Sequence, residues 1–85
     1  MKVKVLYFAS LREKVGMGSE EIELPAGVST LGELRTHLIA RGGAWETSLG
    51  RNKSVRMALN QDMAQAGAAI SAGDEIAFFP PVTGG

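Results

Sequence analysis

The last eight residues, FFPPVTGG from Phe78 to Gly85, carry the residue types and spacing that could do chemistry. Two aromatics suit a buried strand. Pro80 and Pro81 lack the backbone N–H that a sheet requires, so they lead the chain off its fold on a semi-rigid, polyproline-like course. From Val82 and Thr83 onward, four extended residues reach roughly 13 to 14 Å, enough to enter a narrow channel in another protein. Gly84 and Gly85 have no Cβ, so backbone can pass a constriction and present the terminal carboxylate where a bulkier residue would clash.

A carboxylate becomes electrophilic once one oxygen is made a leaving group, as in an acyl-adenylate formed with ATP. If a sulfur nucleophile then takes the adenylate's place, Gly85 carries a thiocarboxylate, which transports sulfur without cysteine. If a lysine amine takes it, the product is an isopeptide bond. Gly-Gly alone is also compatible with an unstructured end or an engineering remnant. The chemical reading rests on Gly-Gly together with FFPPVT and the order of elements before it.

Those elements form one domain of 85 residues, large enough for a thin core and too small to enclose a deep cavity, so any chemistry needs a partner. Nine Lys and Arg balance nine Asp and Glu, leaving no net field for nucleic acid or an anionic membrane. Cysteine is absent, which removes disulfides, thiolate metal sites and a thiol nucleophile. The one histidine, His37, reads as an ordinary helix-edge residue, and no metal site, catalytic triad or phosphate-binding loop is expected. The N-terminus reads as a strand and lacks the apolar run of a signal peptide, and no stretch approaches membrane-spanning length, so a soluble cytoplasmic protein is expected.

Residues KVKVLYF alternate and then turn apolar on both faces, which predicts a first strand covered on two sides at its far end. ASLREKVG follows as a short helix or wide turn, and SEEIELPAG as a half-exposed strand pairing with the first, with Glu20 and Glu21 as its solvated start. STLGELRTHLIARGG is the main helix, with Thr30 and Glu33 spaced as a capping box and Leu31, Leu34 and Leu38 facing the sheet. AWETSLG adds a helical turn with Trp45 as a core anchor. SVRMALNQDM is a third strand turning at Asn60 to Asp62, and EIAFF is the last. The order predicts an α+β fold, a β-grasp or ubiquitin-like roll, with a mixed sheet, parallel first and last strands and one main helix across one face. Residues 1–81 form the domain and 82–85 a flexible tail.

With these features in place, GDEIAFFPPVTGG resembles the C-terminal signature of the MoaD sulfur-carrier family, the small subunits of molybdopterin synthase. KVLYFASLREKVG, ELRTHL, the Trp45 region and ALNQ follow in the family's order, so the resemblance spans nearly the whole chain; SEEIELPAG and GRNKSV are nondescript. The resemblance implies that an E1-like enzyme uses ATP to adenylate Gly85 and that a sulfur donor converts it to a thiocarboxylate. The large synthase subunit then receives the tail, and sulfur passes to cyclic pyranopterin monophosphate to build the dithiolene that binds molybdenum. It further implies a heterotetramer, an active site held mainly by the large subunit, and no stably bound cofactor on the carrier.

Strand periodicity gives a docking surface independently. If Ile76 and Phe78 point inward, Phe79 points outward, and Leu6 and Phe8 do so from the neighbouring strand. Phe8 and Phe79, joined by Met63 from the turn, make an apolar patch at the base of the tail, suited to a partner unless the domain's own loops cover it. Arg12 is a candidate polar rim contact or simply a solvated helix charge. The rival readings are a thiamine-pathway sulfur carrier, a ubiquitin-like protein modifier, and a binding module whose tail threads a partner without chemistry.

Overall fold

Lys2–Tyr7 form strand β1, in which Val3, Val5 and Tyr7 are buried while Lys2 and Lys4 are exposed, the period of two that sheet geometry imposes. The computed structural model describes residues 1–81; Val82, Thr83, Gly84 and Gly85 lie outside them. After β1 come helix α1 (Ala9–Val15), β2 (Ser19–Glu23), α2 (Leu31–Ile39), α3 (Gly43–Leu49), β3 (Arg56–Leu59), β4 (Asp62–Ala64) and β5 (Glu75–Phe79).

The five strands lie in the order β2-β1-β5-β3-β4. β1 and β5 run parallel at the centre, and every other pairing is antiparallel. This is the β-grasp arrangement expected from the order of elements. On the inner face Val3, Val5, Tyr7, Ile22, Met57, Ile76 and Phe78 join Leu31, Leu34 and Leu38 of α2 and Leu49 of α3 in one core.

The start of α2 is fixed from two directions. The Thr30 hydroxyl accepts from the Glu33 N–H at 3.2 Å, and the Glu33 carboxylate accepts from the N–H groups of Thr30 and Ser29. Those donated bonds, led by the one from the Ser29 backbone, hold the Glu33 carboxyl below its ordinary range. The next two N–H groups, of Leu31 and Gly32, donate to the carbonyls of Ala68 and Ala66 at 3.0 and 2.8 Å. Donors left orphaned by helix geometry thus bind the segment before β5 to the helix.

Two features differ from the sequence reading. The turn expected from Asn60 is present, at Asn60 and Gln61 with φ of 50° and 73°, but it leads into a further strand, β4, antiparallel to β3. A three-residue strand with exposed Asp62 and Met63 presents too little periodicity to be read from sequence. The segment after α2 is a full seven-residue helix, α3, rather than an added turn.

α3 ends at Gly50, which is buried and donates its N–H to the Glu46 carbonyl at 3.0 Å. A Cβ at this position would lie 2.7 Å from that carbonyl oxygen and 3.2 Å from Asn52 Oδ1. Gly50→Ala is therefore expected to destabilise the domain by about 1–3 kcal/mol, as overpacking against backbone does. A denaturant midpoint that does not fall would contradict it.

Candidate functional site

The candidate site is built where β1 and β5 end side by side. Leu6 pairs with Ala77 and Tyr7 with Phe78, and the Phe8 N–H donates to the Phe78 carbonyl at 3.1 Å. Alternation sends Leu6, Ala77 and Phe79 to the outer face while Tyr7 and Phe78 point into the core. Ala58, opposite Ala77, and Met63, opposite Ala58, extend that face across β3 and β4. Leu6, Phe8, Ala58, Met63, Ala77 and Phe79 line one apolar groove.

Phe8 and Met63 are 46% and 59% exposed, large hydrophobics that no loop of the described chain covers. Among the described residues, the outward side at the far end of β1 therefore lacks the expected cover. The inner face has its cover from the helices, whereas among the described residues the outer face has no second layer. Ala9, with φ of 52°, bends the chain from β1 into α1 immediately after Phe8, a left-handed conformation unfavourable for a residue with a Cβ and maintained by the surrounding fold.

Phe8, Met63 and Phe79 are thus brought together as expected, and half-buried Pro80 and Pro81 follow directly from Phe79. Arg12 is not among the residues that line the groove: its guanidinium side lies along Gly18, beside Ala9, Glu13 and Met17, one turn of α1 from Phe8. Val82, Thr83, Gly84 and Gly85 lie outside the described residues. Among those residues no group of three or more His, Cys, Asp or Glu converges as a metal site.

Behind the groove lies a polar cluster that the sequence reading missed. Glu20 is not a solvated strand start. Its carboxylate accepts from the Tyr7 hydroxyl at 2.8 Å and from both terminal nitrogens of Arg41 at 2.8 and 3.1 Å. The Trp45 indole N–H donates to the Tyr7 oxygen at 3.1 Å, and the Arg41 guanidinium sits 5.0 Å from the Trp45 ring centre. Burial raises the Tyr7 phenol above its ordinary range; the Trp45 hydrogen bond opposes that rise and Glu20 adds to it. The bond to Glu20 holds the Arg41 guanidinium still more firmly protonated.

This cluster ties β1 and β2 to the α2–α3 junction, while the Tyr7 and Phe78 rings stack with centroids 6.3 Å apart. The backbone that displays Leu6, Phe8 and Phe79 outward is thereby braced from within. A signal for it was present in the alternation: Glu20 sits opposite inward-facing Val5, on the same face as Ile22. A carboxylate on a core face needs partners, and Arg41 and Tyr7 are those partners.

The geometry is that of a small domain with an open apolar face beside the end of β5 and the two prolines that follow it. The ThiS family profile matches residues 5–85. The chain belongs to the ThiS family. Among its relatives, the molybdopterin synthase sulfur carrier subunit of Haemophilus influenzae is 41% identical over 83 residues, covering 98% of this chain and 99% of that one. The crystal structure of small archaeal modifier protein 1 from Haloferax volcanii superposes with a TM-score of 0.78 at 29% identity, covering 95% of this chain and 98% of that one. The complex of subunits 1 and 2 of the molybdopterin-converting factor from Helicobacter pylori contains a chain with a TM-score of 0.69 at 27% identity, with 100% of both chains covered. Membership of the ThiS family agrees with the fold reached from the strand order. Among the described residues, no helix of this ThiS-family chain is long and apolar enough to cross a membrane.

Proposed function

We propose that this chain is the sulfur-carrier small subunit of a molybdopterin synthase, with the Gly85 carboxylate as its reacting group. The observation that carries the reading is the open groove of Leu6, Phe8, Met63 and Phe79, placed at the strand end from which Pro80 and Pro81 lead off. A catalytic partner seated there receives the tail directly, and the carrier needs no pocket of its own. End-to-end similarity to sulfur carrier subunits supports the same reading, as does the likeness to a chain solved in complex with a second subunit.

In this mechanism a Gly85 carboxylate oxygen attacks the α-phosphorus of ATP on an E1-like enzyme, and pyrophosphate leaves. A sulfur nucleophile from a donor then displaces AMP at the acyl carbon, giving the thiocarboxylate. On the large subunit the thiocarboxylate sulfur attacks an oxygen-bearing carbon of cyclic pyranopterin monophosphate, the carbon–oxygen bond breaks and that oxygen leaves with a proton, so the carrier is held to the pterin as a thioester. Water cleaves the remaining acyl–sulfur bond, which returns Gly85 as a carboxylate and leaves sulfur on the pterin. Two charged carriers supply the two dithiolene sulfurs, within a heterotetramer centred on a large-subunit dimer. The side chains that manage the proton transfers belong to the large subunit. The carrier's part in this enzyme is the reacting atom and the surface that aims it, and the cytoplasm is the compartment assigned.

The test is the intact mass of the chain before and after incubation with an E1-like enzyme, ATP and a sulfur source. A gain of about 16 Da mapped to Gly85 is expected, as sulfur replaces oxygen. No gain with an active enzyme and a verified terminus would overturn the reading. A second reading, a protein modifier, is favoured by the likeness to small archaeal modifier protein 1. It predicts Gly85 isopeptide-linked to target lysines in cells, with no requirement for the sulfur source.

A further inference from the structure

On the outer face of the sheet, the charges near one end stand opposite charges of the other sign. Lys2 is directly across from Glu23, and Lys4 from Glu21 on one side and Glu75 on the other. Arg56 breaks this arrangement. It is the first residue of β3, exposed and opposite in phase to buried Met57, so it belongs to the outer face. Its cross-strand partner is Phe79, the last residue of β5 before the two prolines. Toward the edge strand it shares a depression with Met63 and Gln65. Among the described residues Arg56, like Arg12, has no ion pair and no side-chain hydrogen bond, whereas Arg35 is bonded to three carbonyls, Arg41 to Glu20 and Arg51 to Thr36; of the two, Arg56 is the one paired across the sheet with a groove residue.

Position makes this cation informative. Phe79 on one side and Met63 on the other are both groove residues, so a partner that covers them must also approach Arg56 within the same footprint. An arginine covered without an acceptor would lose hydration and gain nothing, a cost that interfaces avoid by supplying a carboxylate. A guanidinium offers a planar fork that matches a carboxylate at two points, which fixes the rotation of a partner that apolar contacts alone would leave free.

We propose that Arg56 is a specificity residue of the docking face, and that the catalytic partner places an aspartate or glutamate side chain against it beside Phe79. The inference rests on the functional reading above and adds the chemistry of the partner's surface. It assigns to Arg56 the orientation of the chain end: a partner locked to the residue opposite Phe79 is locked to the root of the tail.

The experiment measures binding of the full-length carrier to the large synthase subunit by titration and by association rate, from about 0.05 to 0.5 M salt. Arg56→Gln is expected to weaken binding about tenfold at low salt and Arg56→Glu about thirtyfold, through faster dissociation as the pair is lost together with slower association as steering is lost, and both variants flatten the salt dependence. Exposed Arg56 makes no side-chain hydrogen bond among the described residues, so the variants' melting temperatures should match the wild type, and this is checked first. Charge reversal of one acidic side chain on the large subunit should restore Arg56→Glu binding. Wild-type-like affinity and salt slope in Arg56→Glu would overturn the inference alone. Normal large-subunit binding with impaired adenylation of the variant would also overturn it, by assigning the cation to a nucleotide phosphate. Failure of the wild-type chain to bind the large subunit would overturn the functional reading, and the inference with it.

Discussion

Deleting Gly85, or adding one residue after it, should reduce sulfur transfer at least about a hundredfold without altering the fold. Either change moves the reacting carboxyl group by roughly one residue of extended chain, about 3.5 Å. Catalytic positioning tolerates far less, since a misplacement of about 1 Å can cost a hundredfold in rate. The fold should not register the change, because among the described residues the core runs from Val3 to Phe78 and the last strand ends at Phe79. Single-turnover transfer with the large subunit and precursor measures the first half, and thermal unfolding the second. A shortened chain that transfers sulfur at the wild-type rate would remove Gly85 from its assigned role. A binding module that uses no acyl chemistry would tolerate the extra residue.

The second large effect contrasts two adjacent aromatics. Phe78 is fully buried and stacked with Tyr7, so Phe78→Ala should cost about 3–5 kcal/mol of stability. For a small domain with a total of about 5–15 kcal/mol, that is a large share. Phe79 lies on the outer face in the groove and stands outside the core cluster. Phe79→Ala should lower stability by less than about 1 kcal/mol and weaken binding of the large subunit by about 2 kcal/mol, close to thirtyfold. Melting temperature and binding titration, measured on both variants, decide the matter. Comparable losses of stability and affinity in Phe79→Ala would place its ring in the core and dissolve the docking face.

That contrast depends only on strand phase, which is why so much of the site was legible in the sequence. Once EIAFF is a strand with Ile76 buried, Phe78 must point in and Phe79 out. Likewise, Val3, Val5 and Tyr7 facing in sends Leu6 and Phe8 out. The capping box at Thr30 and Glu33 was equally readable, being a local motif whose donor and acceptor lie three residues apart. Tail chemistry was legible for a different reason: two prolines and two glycines restrict what a backbone can do, whatever surrounds it.

What the sequence could not reveal were relations between residues distant along the chain. Glu20 looked solvated because its partners, Arg41 and Tyr7, lie 21 and 13 residues away. β4 was invisible because three residues hold too little period, and its existence comes from pairing with β3. Arg56 was one charge of the strand SVRMALNQDM with no role of its own until the register placed it across from Phe79. By itself the sequence determined which faces are apolar, where the helices start and where the chain must leave the sheet, since these follow from local sterics and side-chain phase. Only the tertiary structure decided which outward residues share a groove, which charges are compensated and which cation stands alone at the tail's root, because strand order and register are set by the packing of the whole core.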